Sequence, residues 1–308
     1  MLPARPSVDR SRRRPRVAAI VVAAVACLLA ALPVLTAPAA LADANAPIFS
    51  LPAQGDLLGE FERNDYNEQD GAPEQVAAPD MPGRQALRFT LEGGEQRSEL
   101  LPRIPYQREG DLQYYAYSGY LAPDFPVDAD GWQILLQWHQ FSDEGSPPIA
   151  VEVRDGRLVL SEEGRAYQDL GPARPGAPID LVLRIRFSED PDEGVVDVWN
   201  AGEHVLQEFR PESGTLLDEG NYLKVGYYRS TSIDETGTVY LDDLRVGPTA
   251  ASVGGRATSN IPAGELETGP SPASDTSSTP IVWLAVALVA LVLVAVVIRL
   301  RRDGHVRR

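Results

Sequence analysis

About ten short strand-like runs recur in this chain, in segments bounded by Gly, Pro, Asp and Asn. Leu181, Leu183, Ile185 and Phe187 fall on one face of such a run, and Val182, Arg184 and Arg186 fall on the other. That pattern suits a sheet buried on one side only. The runs cover residues 86–91, 114–120, 132–139, 149–154, 157–160, 181–187, 195–199, 205–209, 222–228 and 239–246. Asp155-Gly156, between two of them, predicts a tight hairpin. No stretch of about 12 or more residues carries helical periodicity. So many strands predict an all-β two-sheet sandwich rather than a small barrel.

The sandwich does not need all 308 residues. Residues 1–42 combine a basic start (Arg10, Arg12, Arg13, Arg14, Arg16), an apolar stretch and Ala40-Leu41-Ala42, a small-x-small cleavage pattern. They are expected to be a secretory signal peptide. Residues 43–248 form the predicted β domain. Residues 249–280, rich in Ala, Gly, Ser, Thr and Pro, are expected to be a flexible stalk. Residues 281–298 carry no charge and are long enough to span a bilayer, and residues 299–308 form a basic tail. The basic flank predicts a single-pass protein of the cell membrane with its β domain outside. The one cysteine, Cys27, lies inside the signal. The mature protein then has neither a disulfide nor a thiol nucleophile nor Cys-ligated zinc, and its own core must hold it together.

The formal net charge is −16, and removing the basic signal and tail leaves the domain more acidic still. Nucleic acid is excluded as a partner, since it requires a basic footprint. The acidic surface suits solubility, a salty habitat or a structural calcium. No cofactor is required by anything in the sequence, no metal site is assigned, and a monomer is expected. An acidic ligand would need a groove that is basic locally. Arg97, Lys224 and Arg229 are the candidates, with Arg184 and Arg186 as further ones.

Face assignments narrow the site. Tyr222, Lys224, Gly226 and Tyr228 alternate onto one face of a single strand. Lys224 is the only lysine in the chain, and Gly226 would let a ligand approach the backbone closely. Arg97 and Glu99 share a face in Arg97-Ser98-Glu99-Leu100. Gln137 and His139 share a face in Gln137-Trp138-His139, with Trp138 opposite. Trp132, Trp138 and Trp199 are read as core, and Glu99 as the ion-pair partner that holds Arg97. A guanidinium, an amide, an imidazole and a phenol on three strands can neutralise a carboxylate and move a proton.

Arg-Ser-Glu-Leu, Gln-x-His and Tyr-x-Lys-x-Gly-x-Tyr, in this order, resemble the signatures of jelly-roll polysaccharide lyases: alginate lyases, glucuronan lyase and, most closely, the heparin lyase I-like group. The resemblance covers residues 61–247, including Gly131-Trp132-Gln133-Ile134-Leu135-Leu136, Val195-Val196-Asp197-Val198-Trp199 and Thr238-Val239-Tyr240-Leu241-Asp242-Asp243-Leu244. It implies a β-jelly roll, a concanavalin-like two-sheet sandwich, with an open groove on one sheet.

The resemblance also implies β-elimination at a uronic acid of an acidic polysaccharide. Arg97 and Gln137, with His139 beside them, would neutralise the uronate carboxylate by preorganised electrostatics, the Arg97 fork matching it in two bonds. Tyr228 would donate the proton to the leaving oxygen. Either Tyr228, if Lys224 or Arg97 favours its phenolate, or His139 would be the base. Lys224, Tyr222 and Arg229 are expected to bind substrate. A non-catalytic carbohydrate-binding module is the alternative on the same fold. A glycoside hydrolase would need paired carboxylates on one strand, and no Glu-x-Asp-x-x-Glu pattern is present.

Overall fold

The computed structural model describes residues 45–62, 71–142 and 145–267. The expected signal peptide, apolar span and basic tail lie outside them. Among the described residues no helix is long and apolar enough to cross a membrane.

Among the described residues, fifteen strands form two antiparallel sheets. The first sheet runs β13 (Glu203–Phe209), β12 (Val195–Asn200), β11 (Pro178–Arg186), β6 (Leu112–Leu121), β15 (Gly237–Gly247), β4 (Gln85–Leu91) and β3 (Glu74–Ala77), with β1 (Phe49–Ser50) also on β15. The second runs β10 (Ala166–Pro172), β9 (Arg157–Glu162), β8 (Ile149–Arg154), β7 (Gln133–Gln140), β14 (Asn221–Arg229), β5 (Arg97–Pro102) and β2 (Phe61–Glu62). Neighbours such as β5 and β14, or β6 and β15, are distant in sequence, because the chain crosses repeatedly between sheets. The result is an all-β two-sheet sandwich, consistent with the expected jelly roll.

Each of the ten expected runs is a strand. β5 is the strand on which Arg97 and Glu99 were expected to share a face, and the segments passed over are β3, β10 and the two-residue strands. β10 ends in Gly171-Pro172 and carries a bulge between Asp169 and Gly171, which breaks its alternation. Asp155 and Gly156 take φ of 49° and 70°, as a tight turn between β8 and β9 requires.

The inward faces meet in one core. Leu181, Leu183 and Ile185 of β11 lie there with Trp138, Leu136, Val225 and Tyr227 of the second sheet, all fully buried. The outward face of the first sheet is covered as well, which one-sided burial did not predict. Residues 249–267 lie over it instead of extending as a free stalk. Val253, Ala257 and Leu266 pack on Tyr114, Ala116, Val182 and Trp199. The Tyr114 hydroxyl donates to the Leu266 carbonyl (3.2 Å), and Arg256 reaches Asp80 (2.8 Å) and Asp180 (3.0 Å). The expected stalk is therefore held on the sheet as far as Leu266, and the rest of it lies outside the described residues.

Candidate active site

β14 is the axis of the site, because both of its neighbours bring chemistry into register with it. Against β7, Tyr222 faces His139 and Lys224 faces Gln137. Against β5, Tyr228 faces Arg97. Directly opposed residues on one face have Cβ atoms about 5 Å apart, so antiparallel pairing alone brings these groups into contact. They line a cleft of about 540 Å³ across the outward face of the second sheet. Trp132, Ile134, Glu152 and Arg154 complete its floor, and Gly145, Ser146, Pro147 and Gly164 rim it.

At one end the Arg97 guanidinium lies 3.7 Å over the Tyr228 ring, and the Trp132 indole meets that ring edge-on at 4.5 Å. In the middle, Lys224 and Gln137 are buried, at 1 % and 0 % exposure. At the other end the His139 and Tyr222 rings lie 5.6 Å apart, and the Lys224 ammonium stands 5.1 Å over Tyr222. His139 Nδ1 is 2.8 Å from the Gln140 carbonyl oxygen. A carbonyl only accepts, so Nδ1 carries the proton, and in the neutral ring Nε2 holds the lone pair.

Glu99 organises the middle from below. It is buried at 1 % exposure, accepts from Gln137 Nε2 (2.5 Å) and pairs with Arg97 Nε (3.5 Å). Burial pushes its carboxyl above the ordinary value, against the opposing charges of Lys224 and Arg97 and the Gln137 hydrogen bond. The expectation that Glu99 holds Arg97 understates its role, because it fixes the Gln137 amide too. Gln137 Oε1 is buried and has no hydrogen-bond partner among the described residues.

Arg97, Gln137, His139, Tyr222, Lys224 and Tyr228 are thus brought together, and Arg229 is not. Arg229 is fully buried on the opposite side of β14. It donates to the carbonyls of Glu95 (3.1 Å), Leu91 (3.2 Å), Glu235 (2.6 Å) and Glu92. It therefore serves the fold rather than the substrate. Arg184 and Arg186 stand on β11 of the other sheet, paired with Asp197 (2.7 Å) and Glu193 (3.9 Å). Trp132, read as core, is a cleft residue. At Gly226 it is the neighbouring strand that comes close: a Cβ there would sit 2.4 Å from the Ser98 carbonyl oxygen of β5, and its φ is +144°. The glycine serves close strand packing. Glu152 and Arg154 were missed, although their alternation along residues 149–154 was readable. Their side chains pair (3.3 Å), and Arg154 stacks over Tyr167 (4.3 Å).

The cleft lies open across a β-sandwich and holds an imidazole and a phenol with cations beside them, groups that can exchange protons. The chain belongs to the polysaccharide lyase family, whose model matches residues 56–245. It is accordingly a carbon–oxygen lyase that acts on polysaccharides. Among solved structures it is similar to the endo-β-1,4-glucuronan lyase of the fungus Trichoderma reesei: 21% identity, TM-score 0.55, over 68% of this chain and 98% of that one. It is also similar to alginate lyase A1-II′ of polysaccharide lyase family 7 (17%, 0.44, 60% and 84%). A cellulose-induced protein, Cip1, matches as well (14%, 0.45, 65% and 97%). No curated protein matches the chain.

Proposed function

We propose that the protein cleaves a uronate-containing polysaccharide by β-elimination in the cleft between Arg97 and His139. The observation that carries this reading is the register of β14, which opposes Tyr228 to Arg97, Lys224 to Gln137 and Tyr222 to His139 on one face. The C5–H bond breaks, its electrons form the C4=C5 double bond, the C4–O4 bond breaks, and O4 takes a proton. Negative charge spreads into the carboxylate as the C5 proton leaves. Arg97 and the Gln137 amide, both set by Glu99, with Lys224 nearby, neutralise that charge without reorganising.

Sugar stereochemistry assigns the base. In D-glucuronate and D-mannuronate, H5 and O4 lie on the same ring face, so one residue can take the first proton and deliver the second. Tyr228 fills both roles there. In L-iduronate and L-guluronate the two lie on opposite faces. His139 Nε2 is then the base and Tyr228 the acid. The similarity to a glucuronan lyase supports glucuronan as the first substrate to try.

The reading extends to location. The expected signal and apolar span would hold the domain on the outer side of the cell membrane, and protease added to wall-stripped cells should remove it. For the activity, the assay is absorbance of the unsaturated uronate on glucuronan, alginate and heparin-like chains. Binding without any absorbance gain across the panel would sink the lyase reading and favour a binding module.

A further inference from the structure

We propose that Tyr106, Phe141 and Arg108 form a second sugar subsite, which binds a uronate of the same substrate chain outside the reacting centre. This rests on the lyase reading above. Three aromatic side chains among the described residues are strongly exposed: Tyr106 (53%), Phe141 (36%) and Tyr167 (37%). Two of them touch, with Tyr106 and Phe141 edge to face at 5.0 Å. Exposed aromatic surface in contact with itself marks a binding surface more than chance exposure does.

The patch continues the cleft. Phe141 stacks on Tyr222 at 6.4 Å with rings 15° apart, and Tyr222 forms the cleft wall with His139. Tyr222 and Tyr106 also line one small depression with Leu101 and Pro102. A polymer leaving the reacting centre past His139 therefore meets Tyr222, then Phe141, then Tyr106. Sugar rings present C–H faces that lie against aromatic faces, and these rings offer such faces in sequence.

Charge identifies the sugar. The Arg108 guanidinium stands 5.0 Å over Phe141 and is anchored by donation to the Glu219 carbonyl (2.6 Å). It holds a positive fork over one face of Phe141, beside Tyr106, in a chain whose net charge is −16. A neutral sugar would not need it, whereas a uronate would.

The platform is built rather than loose. Gln107 and Asn221 exchange backbone hydrogen bonds of 2.9 and 3.1 Å, which ties this segment to the start of β14. At Gly220 a Cβ would lie 2.9 Å from both the Gln107 carbonyl oxygen and the Phe141 ring, so glycine there lets the two come together.

The test compares full-length wild type with Tyr106→Ala and Arg108→Gln on a long polyuronate and on the shortest oligomer that is cleaved. The ratio of kcat/KM, long over short, should fall about fivefold in each variant, with the loss in KM. An unchanged ratio overturns the subsite. If wild type cleaves no polymer, the lyase reading fails and the subsite is judged by gel retardation in the same polyuronates. Retardation that the variants lose supports it. Retardation that they keep, or none in wild type, overturns it.

Discussion

Tyr228 and Tyr227, adjacent on β14, face opposite worlds. The first stands in the cleft under the Arg97 guanidinium, and the second is fully buried with its hydroxyl 2.5 Å from Gln133 Oε1. Burial pushes the Tyr227 phenol up to about 12, so it is a neutral donor at working pH. Deleting the same oxygen from each residue should therefore separate catalysis from stability. Tyr228→Phe should fold normally and lose about 10²–10⁴-fold in kcat. Tyr227→Phe should keep its rate and lose about 1–3 kcal/mol, since Gln133 Oε1 loses its donor inside the protein. Kinetics and a urea midpoint on both variants decide it, and a dead Tyr227→Phe beside an active Tyr228→Phe would reverse the face assignment.

His139 and Tyr228 should part company according to substrate. On glucuronan or mannuronan, His139→Gln should retain most of its kcat while Tyr228→Phe loses it. On guluronan or an iduronate-containing chain both variants should lose kcat by about 10²-fold or more. Equal loss on both classes of polymer would contradict the division of labour proposed here.

Arg229 should behave as a structural residue. Arg229→Met strands the carbonyls of Leu91, Glu92, Glu95 and Glu235 and should cost about 3–5 kcal/mol. The folded fraction should bind substrate with an unchanged KM. A stable variant with raised KM would return Arg229 to the cleft.

Asp242 lies beneath the segment that covers the first sheet. Burial and the neighbouring Asp80 carboxylate push its carboxyl up to about 7, against Arg256 and Arg84. The ordinary value is 3.8, so between the two the folded state holds a proton that the unfolded chain has released. The stability this group contributes is complete below about pH 4 and is lost as pH rises through about 7. Across about pH 5 to 8, the Tm of wild type should fall relative to that of Asp242→Asn. A difference that stays constant with pH would show that the carboxyl is not raised.

Much of the site was legible because strand alternation is rigid. Tyr222, Lys224 and Tyr228 share a face, as do Gln137 and His139. The same parity already excluded Arg229, which falls with Tyr227, and charge alone had put it forward. Trp132 was misplaced for a physical reason. β7 carries an extra residue against β8 between Ile134 and Leu136, and Leu135 and Leu136 are both buried. That bulge moves the alternation by one, so Trp132 and Ile134 join the face of Gln137 and His139. Alternation also says nothing about which sheet a strand joins, so Arg184 and Arg186 remained open. Residues 249–267 have the composition of a linker. The few apolar side chains among them, Val253, Ala257 and Leu266, are enough to hold them down.

The covering segment also sets the direction of the molecule. It lies on the outward face of the first sheet, and the cleft opens on the outward face of the second. The described chain therefore reaches Glu267 on the back of the sandwich, away from the cleft. A domain held to a bead at Glu267 would present its cleft to the surrounding medium, and long polymers could enter it from either side without meeting the support.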